Sequence, residues 1–154
     1  MKIIALRGHS GYGKTTTLNL LIDKLSQNNN VTVLNHIGRD RVAKVIINGR
    51  IIGITTRGDT DAALTEDFKK LGNCDLYICA CRTKGNTLKF LQSLTKDDIL
   101  IYNTKWTVLL PNMSVNNIDD ILDGINKLQV EEILEQANIL ENASGSSLCF
   151  EMTN

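Results

Sequence analysis

Gly8, Gly11 and Gly13, followed at once by Lys14 and Thr15, stand at the spacing G-x-x-x-x-G-K-[ST], and these residue types in this order can hold a chain of phosphates. Glycine enters backbone conformations closed to other residues, so consecutive N–H groups of such a loop can converge on an anion. A helix starting at the end of the loop adds the positive end of its dipole. Lys14 would then reach the β- and γ-phosphates, and the Thr15 hydroxyl would meet Mg²⁺. The candidate phosphate-binding set is therefore Gly8, Ser10, Gly11, Tyr12, Gly13, Lys14, Thr15 and Thr16. His9 occupies a variable position of the pattern and is expected to be a minor contact.

The loop needs a strand before it and a helix after it, and both are legible. Ile3-Ile4-Ala5-Leu6 is an apolar run, while Leu18, Leu21, Ile22 and Leu25 recur at helical spacing. On this stretch, residues 2–26, the chain resembles the P-loop NTPases. The wording G-x-S-G-x-G-K-T-T is similar to loops of ATP-using kinases and transport ATPases, although no L-S-G-G-Q transporter signature occurs. The resemblance implies a P-loop NTPase-like, three-layer α/β fold, with ATP and Mg²⁺ as the bound species. The whole layout also resembles small uncharacterised bacterial or phage ATP-binding proteins, from which no substrate carries over.

Further along, Val31-Thr32-Val33-Leu34 reads as a second strand whose polar exit holds Asn35, His36, Arg39, Asp40 and Arg41. Two β-rich runs, 42–47 and 50–56, flank Asn48-Gly49, a strong signal for a type I′ hairpin, so an antiparallel excursion is expected over about 42–56. Thr60 or Asp59 can cap a helix that runs through Ala62, Leu64, Phe68 and Leu71 and stops at Gly72. The continuous apolar run 75–81 suits a buried parallel strand and leads through Arg82 to a short helix over Leu88, Leu91 and Leu94. Residues 98–102 make a further strand, and 107–110 could extend the sheet before Pro111. Beyond Asn117, one apolar stripe ends at Leu128 and an offset one begins at Val130, which predicts two short helices or one bent helix. The tail 143–154 reads as a frayed terminus or an edge strand. Strands alternating with helices predict a mostly parallel sheet covered on both faces.

Enzymes with this loop also use an acid at a neighbouring strand end to hold the magnesium shell, and no strand here closes cleanly on Asp. Asp59, three residues past Thr56, is the leading candidate for the metal, with Asp40 as its rival; Asp61 falls in a helical first turn and Asp75 begins its strand. Arg57 and Arg82 follow strands, where a planar guanidinium could neutralise charge on a transferring phosphoryl group. The candidate catalytic set is thus Lys14, Asp40, Arg57, Asp59 and Arg82. Trp106 could stack on a base, though core packing is the simpler expectation.

A chain of 154 residues suits a single domain spanning 1–154. Seventeen basic residues balance seventeen acidic ones, so no charge excess points to nucleic acid. No apolar run is long enough to span a membrane and the N-terminus lacks a signal-peptide layout, so a cytoplasmic protein is expected. Cys74, Cys79, Cys81 and Cys149 lack zinc-knuckle spacing and read as reduced thiols. Three functions fit: a small ATP-dependent phosphotransferase or ATPase, a switch-type regulatory NTPase, or a nucleotide-binding module with a small-molecule or protein partner. Guanine specificity is not expected, because Asn103-Thr104-Lys105-Trp106 lacks the acid of an N-K-x-D reader.

Overall fold

Unbroken apolar sequence without alternation belongs in a strand buried on both faces. Among the described residues β1 (Lys2–Arg7) and β5 (Leu76–Cys81) meet that description, and they pair in parallel in the interior of the sheet. A computed structural model describes residues 1–27, 29–95, 99–103 and 118–137. The other elements are α1 (Lys14–Ser26), β2 (Asn30–Ile37), β3 (Asp40–Ile47), β4 (Arg50–Thr55), α2 (Asp61–Leu71), α3 (Thr87–Leu94), β6 (Ile99–Asn103) and α4 (Ile118–Gln136).

The six strands form one mixed sheet in the order β2-β3-β4-β5-β1-β6. β4, β5, β1 and β6 are mutually parallel, and β3 runs against both β2 and β4. Alternate residues of the central strands feed two apolar clusters. Ile4, Leu6, Ile78 and Ala80 meet Leu18, Leu21, Ile22 and Leu25 of α1 and Val130, Ile133 and Leu134 of α4. Ile3, Ala5, Tyr77, Cys79 and Cys81 instead meet Leu64 and Leu71 of α2 and Leu91 of α3. The architecture is thus α/β, mostly parallel, with helices against both faces.

The expected hairpin is present, and its turn residues Asn48 and Gly49 take φ values of 52° and 77°, as a type I′ turn requires. The antiparallel part is larger than expected, because β2 does not end at Leu34. It continues to Ile37 and folds straight back into β3 through Gly38 and Arg39, with Gly38 at φ 60°. A glycine at the first turn position is the type II′ signal. The polar flank Asn35-His36 hid it by breaking the strand pattern.

Of the two expectations for the C-terminal stripes, two short helices or one bent helix, the single helix is found: α4, 19 residues long. Its inward face continues without a phase change as Asn126, Gln129, Val130, Ile133, Leu134 and Ala137, but the first two members are polar. Hydrophobicity alone therefore followed Leu122 and Leu128, which are exposed. Cys79 and Cys81 are buried free thiols, and burial pushes Cys81 up to about 11. The stretches 107–110 and 143–154, together with Trp106 and Cys149, lie outside the described residues. No helix among the described residues is long and apolar enough to cross a membrane.

Gly58, just past β4, lies so close to β5 that a Cβ there would sit 2.1 Å from the Ala80 carbonyl oxygen. Gly124 of α4, by contrast, faces open space. Gly58→Ala is expected to lower unfolding free energy by about 3 kcal/mol, and Gly124→Ala to raise it by about 0.5–1 kcal/mol, both measured by denaturant unfolding.

Candidate functional site

The parallel strands run in one direction, so their carboxyl ends share one edge of the sheet, where α/β proteins place ligand crevices. The loop between β1 and α1 sits there. Gly8 N–H extends the sheet ladder by donating to the Cys81 carbonyl at 3.2 Å, and Thr17 N–H donates to the Gly13 carbonyl at 2.8 Å, opening the helix. Gly11 at φ 80° and Gly13 at φ 75° adopt the left-handed conformation that a loop of converging N–H groups needs.

Lys14 is buried, with 7% of its surface exposed, and its Nζ donates to the carbonyls of Gly8 at 2.9 Å and His9 at 2.7 Å. The ammonium is thereby held under the loop. Desolvation lowers its pKa from the ordinary 10.5; nearby Asp59 opposes that shift and Arg82 adds to it. Thr15 Oγ1 donates to the Thr56 carbonyl at 3.4 Å. A cavity of about 370 Å³ opens in front of these groups, lined on the loop side by residues 10–16 and on the other by Asn19, Arg39, Asp40, Thr56, Arg57, Gly58 and Asp59.

The β2–β3 turn explains why Arg39 and Asp40 reach this cavity. β2 runs parallel to β4, so the turn after it lands at the same sheet edge as the loop. Asn19 Nδ2 donates to the Arg39 carbonyl at 2.8 Å and Arg41 pairs with Asp23, fastening the turn to α1. Asp40 Oδ1 accepts from the Thr56 hydroxyl at 3.3 Å.

The two strand-exit arginines have protein partners. Arg57 forks onto Asp67, Nε to Oδ2 at 3.0 Å and an Nη to Oδ1 at 2.7 Å, and also reaches Glu66. It lines the cavity while anchoring α2 to the end of β4. Arg82 sends two hydrogen bonds, 3.2 and 3.0 Å, to one oxygen of Asp59, whose side chain is 62% exposed. The helix cap belongs to Thr60, which accepts from Ala63 N–H, leaving Asp59 free of that role. Asp61 starts α2, and Asp75 accepts from Ile51 N–H.

Four contributors, Asn19, Asn126, Gln129 and Asp67, carried no motif. Asn19 lies one helical turn past Thr15 on α1 and lines the cavity. Asn126 and Gln129 of α4 reach Thr17 Oγ1 from behind at 3.1 and 3.2 Å, and Asn126 Oδ1 fills the space a Gly13 Cβ would occupy, at 2.7 Å. Asp67 looks like one more helix-surface acid until its 1% exposure is known.

The site's oxygen donors, Thr15, Thr56, Asp40 and Asp59, suit a hard cation such as Mg²⁺, which binds through one or two carboxylates plus substrate phosphates. No group of three or more His, Cys, Asp or Glu gathers among the described residues. A second cavity, about 350 Å³, opens at the opposite sheet edge beside Met1, Phe68, Gly72 and Cys74 and contains none of this chemistry.

No family model matches the chain, and no curated protein or solved structure matches it either. Function must therefore be read from the site.

Asp67 holds the only buried carboxylate of the Arg57 fork, whereas Glu66 is solvated. Asp67→Asn is expected to cost about 2–3 kcal/mol of stability, and Glu66→Gln under about 0.5 kcal/mol. Chemical denaturation of the two variants distinguishes these outcomes.

Proposed function

We propose that the chain is a P-loop nucleotide-binding protein of three-layer α/β build that binds ATP with Mg²⁺ and acts as a small phosphotransferase or ATPase. The observation that carries this is the loop Gly8–Thr15: two left-handed glycines, a helix N-terminus and a buried lysine face one open cavity. Loop N–H groups would hold the phosphate oxygens, and Lys14, already desolvated, would exchange part of its carbonyl contacts for them. Thr15 and a neighbouring carboxylate would hold Mg²⁺, which when bound supplies charge neutralisation across the phosphates. Arg82 would turn from Asp59 toward the transferring group. The space between the loop and the β2–β3 turn, bordered by Asn19, Arg39 and Asp40, suits an acceptor hydroxyl or a water.

A switch-type NTPase is the second reading, motivated by the hairpin that leads into the glycine-containing turn Arg57-Gly58-Asp59 at the cavity. Turnover distinguishes the possibilities: ATP consumption that needs an added acceptor supports the phosphotransferase, slow acceptor-independent hydrolysis the ATPase or switch, and binding without turnover a non-catalytic module.

Binding is tested by titrating a fluorescent ATP analogue with Mg²⁺. Lys14→Ala is expected to weaken binding about a hundredfold, and an unchanged affinity contradicts the proposal. Because a bound phosphate favours the ammonium form, Lys14 would have a higher pKa in the complex than in the free protein, where burial lowers it below 10.5. Affinity should therefore be level below that lowered value and fall as pH rises through it, and Lys14→Ala should remove this fall.

A further inference from the structure

β4 ends at Thr55, and the next residue, Thr56, stands at the cavity edge where an acid would be expected, so the magnesium-facing carboxylate must come from elsewhere in the chain. Both candidates line the cavity, and their surroundings differ. Asp59 is a solvated side chain whose Oδ1 receives two hydrogen bonds from the Arg82 guanidinium and which also lies near the Lys14 ammonium. Its charge offsets Arg82 and Lys14, the cations that a phosphate would meet. Asp40 is half-buried and accepts from a neutral hydroxyl.

A short chain of bonds connects Asp40 to the loop. Thr15 Oγ1 donates to the Thr56 carbonyl, and the Thr56 hydroxyl donates to Asp40 Oδ1. Thr56 is itself fixed, because its N–H donates to the Arg41 carbonyl at 3.0 Å and its Oγ1 accepts from Arg41 N–H at 2.9 Å. Thr56 is fully buried, so its hydroxyl has no solvent alternative. Thr15, from the loop side of the cavity, and Asp40, from the other, therefore meet at one fixed residue.

We propose that Asp40, carried in by the β2–β3 turn and oriented by Thr56, is the carboxylate that serves Mg²⁺ beside Thr15, in place of Asp59. This rests on the nucleotide-binding function proposed above. Thr56 is a positioning residue in this arrangement: its hydroxyl orients Asp40 and its carbonyl orients Thr15. Because Asn19 and Asp23 fasten the turn to α1, the metal site is shared between the loop helix and the antiparallel part of the sheet.

The test is the dissociation constant of fluorescent ATP measured with Mg²⁺ and again with chelator, on the full chain. In the unsubstituted protein Mg²⁺ should tighten binding. Asp40→Asn should lose that tightening by about tenfold or more, yet bind metal-free ATP as well as or better than the parent, because a carboxylate facing the phosphates is gone. A folding defect would weaken both measurements, so the opposite signs separate a metal role from damage. Thr56→Val should lose the tightening in part and Thr56→Ser restore it. Asp59→Asn should reduce the Mg²⁺ effect much less than Asp40→Asn. The proposal is overturned if Asp59→Asn removes the effect while Asp40→Asn keeps it, or if Asp40→Asn weakens metal-free and metal-dependent binding alike. If the unsubstituted chain binds no nucleotide at all, the nucleotide function fails and this proposal falls with it.

Discussion

The parallel ladder between β1 and β5 sets the level at which the loop and the exit of β5 leave the sheet. Its register pairs Arg7 with Cys81, and Gly8 N–H adds one more bond to the same carbonyl row. The loop thus leaves the sheet level with the exit of β5, one residue before Arg82. Gly58 passes close against Ala80 on the other side of β5, which brings the exit of β4 to the same level. Residues far apart in sequence, Lys14, Thr56, Asp59 and Arg82, are assembled by strand register without any loop having to reach for them.

Around this frame the charges are arranged in exchangeable and fixed pairs. Asp59 pairs with Arg82 at an exposed surface, where ion pairs are weak and a phosphate can compete. Asp67 holds Arg57 by a buried fork, a pair that is costly to break once formed. The first kind leaves cations available to an incoming anion, and the second keeps α2 in place. The thiols beside the site add no reactivity, since burial raises Cys79 and Cys81 far from thiolate formation at neutral pH.

The parts of this arrangement that depend on local chemistry could be read from the chain. Glycine spacing marked the loop, Asn48-Gly49 marked one turn, Thr60 and Gly72 bounded α2, and apolar continuity marked β1 and β5. The parts that depend on long-range register could not. That Asp40 lies beside Thr56 follows from β3 running antiparallel to β4, and β2 was cut short because its outer half is polar. Asp67 and Glu66 are adjacent acids on one helix, and only packing decides which is buried. Asn126 and Gln129 are half-buried amides on the inward face of α4, a pattern that hydrophobic periodicity passes over, and their side-chain oxygens share the Thr17 hydroxyl as donor.

The central claim is that the loop after β1 holds phosphate, and backbone amide NMR tests it most directly. In a ¹⁵N–¹H spectrum of the full chain titrated with ATP and Mg²⁺, the amides of Gly11, Gly13, Lys14 and Thr15 should show the largest shifts, followed by those of Asp40 and Gly58. Shifts confined to the opposite sheet edge, around Phe68, Gly72 and Cys74, or no shifts at all, would contradict it.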